Sequence, residues 1–246
     1  MLDWLRRDPR SPQARQAETI EIDGRVLAIE VRQLAQARRM TMRLAPDGSA
    51  VRISVPRWVP AREAHAFARS RRDWLAGQLA KIPLPTTLAD GATLHVRGEA
   101  LVLRHDPAAP RRVRIADGIL NVGGPSDSLE SRLKRWLQAE ARARVEPDLA
   151  HYCALAGQAV PALSLSGAQR RWGSCSSGGT IRINWRLIMA PDLVRRSVVA
   201  HEVAHLVHFD HSPAFHKCLA DLFEGNVHHA NRWLSEHGRS LYGPFG

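Results

Sequence analysis

A chain of 246 residues, 44% hydrophobic and 24% charged, is long enough to bury a core and has a globular composition, which excludes wholesale disorder and fibrous folds. Three cysteines are too few for a disulfide scaffold and fit a reducing compartment, and no run approaches the ~20 apolar residues that cross a bilayer. Met1-Leu2-Asp3-Trp4-Leu5-Arg6-Arg7 lacks the apolar core of a signal peptide, so the expectation is a soluble cytoplasmic protein with no membrane partner.

The net charge of +11 and the twelve histidines are separate signals. The basic excess is weighted toward the N-terminal part, whereas most histidines lie between His201 and His237.

Residues 1–18, Arg-rich with Pro9 and Pro12, read as a flexible leader. From Thr19 the pattern has period two: Ile20, Ile22, Val26 and Ala28 alternate around Asp23-Gly24, a hairpin signal. Met40–Leu44 and Val51–Val55 flank Pro46-Asp47-Gly48, a second hairpin. Pro60 opens a helical stretch to about Lys81, with Ala64, Phe67, Ala68, Trp74, Leu75 and Leu79 as its apolar stripe. Pro83 and Pro85 break the chain.

Short strands follow around Leu94–Val96, Leu101–Arg104, Val113–Ile115 and Leu120–Val122. Ser126 to about Ala156 reads as helix, with N-cap candidates at Ser126, Asp127 and Ser128, and Pro147 at a kink or second start. The sequence has no internal repeat. The class is α+β: a leader over 1–18, a β-rich region over 19–125 with one helix, and a helix-rich region over 126–246.

The informative segment runs from Pro191 to His208. Pro191 suits a first helical turn, and Asp192 suits the positive end of the helix dipole. Val194, Val198, His201 and His205 then share one face. Two His at i and i+4 lie ~6 Å apart along the axis, so both imidazoles reach one metal. Glu202, about 100° around the helix from His201, is placed to meet a metal-bound water rather than the metal. This is the H-E-x-x-H pattern. A chance helix with two core histidines is the bland alternative, but burying two His and a Glu on an apolar stripe costs several kcal/mol unless they are paired or metal-bound.

A catalytic zinc needs a third protein ligand and an open position. His208 shares the helical face but lies ~10.5 Å along the axis from His201, too far to share an ion. His211 is better placed. Phe209-Asp210 turns the chain, and Ser212-Pro213 reads as an N-cap and first position of a new helix. The spacing equals that of the metzincins, which have Gly where His208 stands. His tolerates positive φ better than most residues, which leaves that turn open to it. Asp221 or Glu224 is the alternative third ligand. His216, His228 and His229 fit surface or supporting roles better than ligation.

The strip Gln169–Trp185 reads as strand, loop, strand. It is either a plain hairpin whose tryptophans pack the core or an edge to which a substrate peptide adds as a strand. Gly173-Ser174-Cys175 suggests a thiol peptidase as a rival, but Ser176-Ser177-Gly178-Gly179 is a poor helix opening after a nucleophilic Cys.

Arg171-Trp172-Gly173-Ser174-Cys175-Ser176 with Asn184-Trp185-Arg186-Leu187, then His201-Glu202-x-x-His205 and His211-Ser212-x-x-Phe215, resembles the YgjP-like metallopeptidases, relatives of the SprT and WLM zinc proteases. The strong motifs cover about residues 169–216. The resemblance implies a minimal zincin-type core, one catalytic zinc ion held by His201, His205 and His211, and Glu202 as general base in peptide-bond hydrolysis by a zinc-bound water. Members of that family commonly carry Trp after the Phe of the last motif, where this chain has His216.

The expected partner is a peptide or protein substrate. Two other classes stay open. One is a nucleic-acid-associated protease acting on DNA-bound proteins, suggested by Arg38-Arg39, Arg69, Arg71-Arg72 and Arg111-Arg112. Lys is rare beside Arg, however, and that bias also arises from coding composition. The other is a non-catalytic zinc protein, against which the intact Glu202 argues.

Overall fold

The computed structural model describes residues 18–45, 47–80, 82 and 87–245. The leader short of Glu18 and the prolines at 46, 83 and 85 lie outside those residues. The chain divides into two compact units, Met1–Lys81 and Ile82–Gly246.

In the first unit, strands β1 (Thr19–Ile22), β2 (Arg25–Leu34), β3 (Thr41–Leu44) and β4 (Ala50–Pro56) form one sheet in the order β1-β2-β4-β3. Both hairpin partners are antiparallel, and β2 runs parallel to β4. The alternation holds for Ile20 and Ile22 but is shifted by one after the turn: Val26 is 66% exposed, and Leu27 and Ile29 are buried instead, together with Val51, Ile53 and Val55. Ala64, Ala68, Leu75 and Leu79 cover them from helices α1 (Ala61–Ser70) and α2 (Arg72–Leu79). The helical stretch after Pro60 is thus divided, at Arg71 (φ −108°, ψ 23°). The break resets the helical phase, which turns Trp74 out to 44% exposure instead of into the expected stripe.

The second unit opens on β5 (Thr93–Val96), β6 (Glu99–Asp106), β7 (Val113–Ala116) and β8 (Ile119–Gly123), in the order β5-β6-β8-β7. Here too β6 is parallel to β8 and the outer pairs are antiparallel. The same topology therefore occurs twice without a detectable sequence repeat. Three of its tight turns use two successive residues of positive φ, as a two-residue hairpin requires: Asp23-Gly24, Arg97-Gly98 and Asp117-Gly118.

Helix α3 (Leu129–Leu155) follows a short 3-10 turn. It runs through Pro147 without stopping; Val145, Leu149 and Tyr152 on either side are buried in the core, and that packing outweighs one missing hydrogen bond. Three short strands, β9 (Leu163–Ser166), β10 (Gly173–Cys175) and β11 (Ile181–Asn184), make a sheet ordered β10-β11-β9. β10 is its antiparallel edge. Helices α4 (Asp192–Val207), α5 (Pro213–Leu222) and α6 (Val227–His237) complete the unit. α4 is the central element, packed against α3, α5, α6 and β10.

Ion pairs hold α4 at its start. Arg195 donates from Nε to Asp148 of α3 at 2.9 Å and from Nη1 to Asp192. Asp192 also receives Arg97 Nε at 2.9 Å from the β5–β6 turn. The backbone N–H groups of Arg97 and Gly98 reach the carbonyls of Ile188 and Met189 just before that helix. Among the described residues no helix is long and apolar enough to cross a membrane.

Candidate metal centre

His201 and His205 stand one turn apart on α4, their ring centroids 4.9 Å apart. The helix ends at Val207, and His208 is extended (φ −133°, ψ 113°). The turn therefore needs no left-handed residue, so the tolerance of His for positive φ is not called upon. His211 swings back until its ring lies 5.2 Å from His201 and 4.8 Å from His205. One nitrogen from each of the three histidines falls within 4.8 Å of the others.

Two local devices aim these rings. Ser212 caps α5 by accepting the Phe215 N–H at 3.4 Å, with Pro213 in the first turn. That cap fixes the entry of α5 and seats fully buried Phe215 beneath the histidines, its ring 5.0, 4.6 and 4.8 Å from those of His201, His205 and His211. The second device is the His208 carbonyl, which lies 3.1 Å from His205 Nδ1 and leaves Nε2 of that ring free. His211 Nε2 and His201 Nε2 face each other at 3.3 Å. Burial, and then the neighbouring His205, His211 and His216, push the His201 imidazole down to about 4.

Glu202 points away from that cluster toward β10 and is 5% exposed. Burial pushes its carboxyl up to about 7, against a backbone hydrogen bond from Cys175 and the positive charge of Arg171. Gly173 leaves the room for it, since any β-carbon there would collide with the Glu202 side chain. Cys175 lies within β10 with its thiol pushed up by burial and by Glu202, the reverse of an activated nucleophile.

The alternative third ligands are engaged elsewhere. Asp221 receives Lys217 Nζ at 2.7 Å, and Glu224 accepts the Tyr152 hydroxyl at 2.7 Å and pairs with Arg196 at 2.8 Å. His216 lies beyond His211, its ring centroid 6.4 Å away. His228 and His229 are exposed on α6. Four residues that the sequence presents only as parts of motifs have supporting roles in the structure: Gly173, Cys175 through its N–H, Phe215 as the floor, and Asn184. The Asn184 amide donates to the Ala168 carbonyl at 2.7 Å and accepts the Arg186 N–H at 3.1 Å, tying down the loop that leads into β10.

The YgjP-like metallopeptidase domain model matches residues 38–237. No curated protein matches the chain. Among solved structures, the chain is similar to the crystal structure of the metallopeptidase zymogen of Pyrococcus abyssi abylysin. That likeness has 22% identity and a TM-score of 0.36, and covers 39% of this chain and 97% of that one. The family match spans both compact units and the whole stretch that brings the three histidines and Glu202 together, and the chain belongs to the YgjP-like metallopeptidase family, making it a metal-dependent peptide hydrolase.

Proposed function

We propose that His201, His205 and His211 hold one zinc ion and that Glu202 is the general base for peptide-bond hydrolysis, with the machinery inside residues 126–246. The observation that carries this is the 3.3 Å between the Nε2 atoms of His201 and His211. Two imidazole nitrogens at ~2.0–2.1 Å from a tetrahedral zinc stand about that far apart. The donor set agrees: three imidazoles, one with its other nitrogen on a backbone carbonyl, leave a fourth position open as catalytic zinc sites do. A His201 that resists protonation is ready to ligate at neutral pH.

Zinc held there supplies Lewis acidity to a carbonyl oxygen and lowers the pKa of a water toward ~7. The residues do the rest. Glu202 takes a proton from the attacking water and delivers it to the leaving amine nitrogen. Its buried carboxyl, drawn toward neutral pH, suits both halves of that transfer. The Cys175 N–H holds the carboxylate in one orientation. The free edge of β10 offers backbone groups along which an extended peptide lies beside Glu202.

Metal analysis with a turnover assay tests this reading. Wild type is expected to bind one zinc per chain, His211→Ala to lose it, and Glu202→Gln to keep it while hydrolysis falls ~10²–10⁴-fold. Hydrolysis surviving in zinc-loaded Glu202→Gln removes the base assignment. A zinc-loaded wild type that cleaves no peptide favours a non-catalytic zinc protein.

A further inference from the structure

Away from the histidines, the β5–β8 sheet carries a recess of about 530 Å³ on its outer face. We infer that it docks an acidic segment of the substrate, outside the stretch that is cut; this rests on the peptidase reading above.

Strand register builds the recess. Arg104 of β6 stands opposite Asn121 of β8, and Asn121 opposite Arg114 of β7, so the three form one row across the sheet. Their neighbours Leu103 and Leu120 are buried on the other face, and period two turns the row outward. Arg112 joins it two residues before Arg114, where its carbonyl accepts the Gly123 N–H at 3.0 Å. Val102, Ile119 and Ala116 form the next row on the same face. A strip of hydrogen-bond donors thus borders an apolar strip. The wall is preformed, since a β-carbon on Gly123 would collide with the Pro110 carbonyl that packs against it.

The donors are unanswered within the chain. Arg112, Arg114 and Asn121 make no side-chain hydrogen bond or ion pair among the described residues. The two carboxylates of the lining serve the backbone instead. Asp90 accepts the His105 N–H at 2.9 Å, and Asp106 accepts the Ala108 N–H at 2.9 Å. Asp90 stands 3.7 Å from Arg104, an exposed pair of little strength.

Spacing selects the class of ligand. Arg104 and Arg114 are two strands apart, about 9.5 Å, which is too far to grip one phosphate together. Carboxylates two or three residues apart on an extended chain span about 7–10 Å and match it. Apolar residues between them meet the Val102 row. No Phe, Tyr or Trp lines the recess as a platform for stacked bases, and Asp90 and Asp106 oppose the dense charge of a phosphodiester chain.

The recess and the metal centre belong to one compact unit. A substrate held at both is tethered, which raises its local concentration at the site. Contacts of that kind are equal in the ground and transition states, so they lower KM and leave kcat unchanged.

The test uses the full chain. Anisotropy of a labelled octapeptide of alternating Glu and Val is read with zinc-loaded Glu202→Gln, which binds without turnover. Binding is expected to weaken with salt and to be absent for the Lys-Val counterpart. Adding Arg112→Glu and Arg114→Glu should cost ~10–30-fold in affinity. Adding Arg62→Glu and Arg72→Glu instead, exposed positions of the first unit with the same change in net charge, should cost under ~2-fold. In turnover by the otherwise wild-type chain, a Glu-Val extension should lower KM but not kcat, and Arg112→Glu with Arg114→Glu should erase that advantage alone. Equal losses in the two double variants, an unchanged KM, or displacement of the peptide by inorganic phosphate or an oligonucleotide at lower concentration overturns the assignment. Site-specific peptide binding without cleavage of any peptide upholds the docking site and removes the peptidase reading alone.

Discussion

Gly173 lies so close to Glu202 that a β-carbon on it would stand 2.3 Å from Oε1, 2.7 Å from Cγ and 2.8 Å from Cδ. Three contacts along one side chain cannot all be relieved by a small rotation of its tip. The carboxylate would have to leave the Cys175 N–H that orients it. Gly173→Ala is therefore expected to lower turnover by ~10²-fold or more, the scale of a lost general base, while zinc content stays at the wild-type value. A variant with normal turnover would mean that Glu202 needs no fixed orientation.

Asp148 and Arg195, 8% and 3% exposed, join α3 to the helix that carries His201 and His205. Removing the acid leaves a buried guanidinium with only Asp192 to answer it. Breaking a buried pair costs about 3–5 kcal/mol, and the surviving Asp192 contact puts Asp148→Ala near the lower end. At this chain length each kcal/mol is worth ~2–4 °C, so a thermal melt should show a drop of about 6–12 °C.

Asp192 gives stability a dependence on acid. Burial raises its carboxyl, but hydrogen bonds from Arg97 and Arg195 outweigh that and hold it below the ordinary range. A folded value below the unfolded one gives stabilisation that is complete above the ordinary Asp pKa of ~3.9. It fades as pH falls through the depressed value. The site is a third exposed at Asp192 and more at Arg97, so screening reduces the effect to about 1 kcal/mol. Melts of wild type and Asp192→Asn should differ at pH 7 and converge in strong acid. A gap that persists there would trace to packing rather than charge.

Much of this architecture could be read directly from the residues. Asp23-Gly24 marked a two-residue turn because Asp and Gly accept two positive φ values in succession more readily than most residues. That His201, His205 and His211 come together was legible from helical rise and a Ser-Pro helix start. What stayed hidden depends on contacts distant in sequence. The parallel pairing of β2 with β4 and of β6 with β8 leaves no periodicity of its own. Pro147 reads as a kink or second start because its neighbours' burial is a tertiary fact. The setting of Glu202 combines β10 with α4.

His208 contributes to the histidine cluster through its main chain. Its carbonyl meets His205 Nδ1, its N–H bonds to the Ala204 carbonyl at 2.9 Å, and its φ is open to any L-residue but proline, which lacks the N–H. His208→Ala should therefore retain a full equivalent of zinc, checked by metal analysis, whereas His208→Pro should not. The wider consequence is that this turn constrains backbone shape and leaves the side chain at position 208 without a part in the cluster. A search for kin that demands a glycine at the corner would pass over chains built like this one.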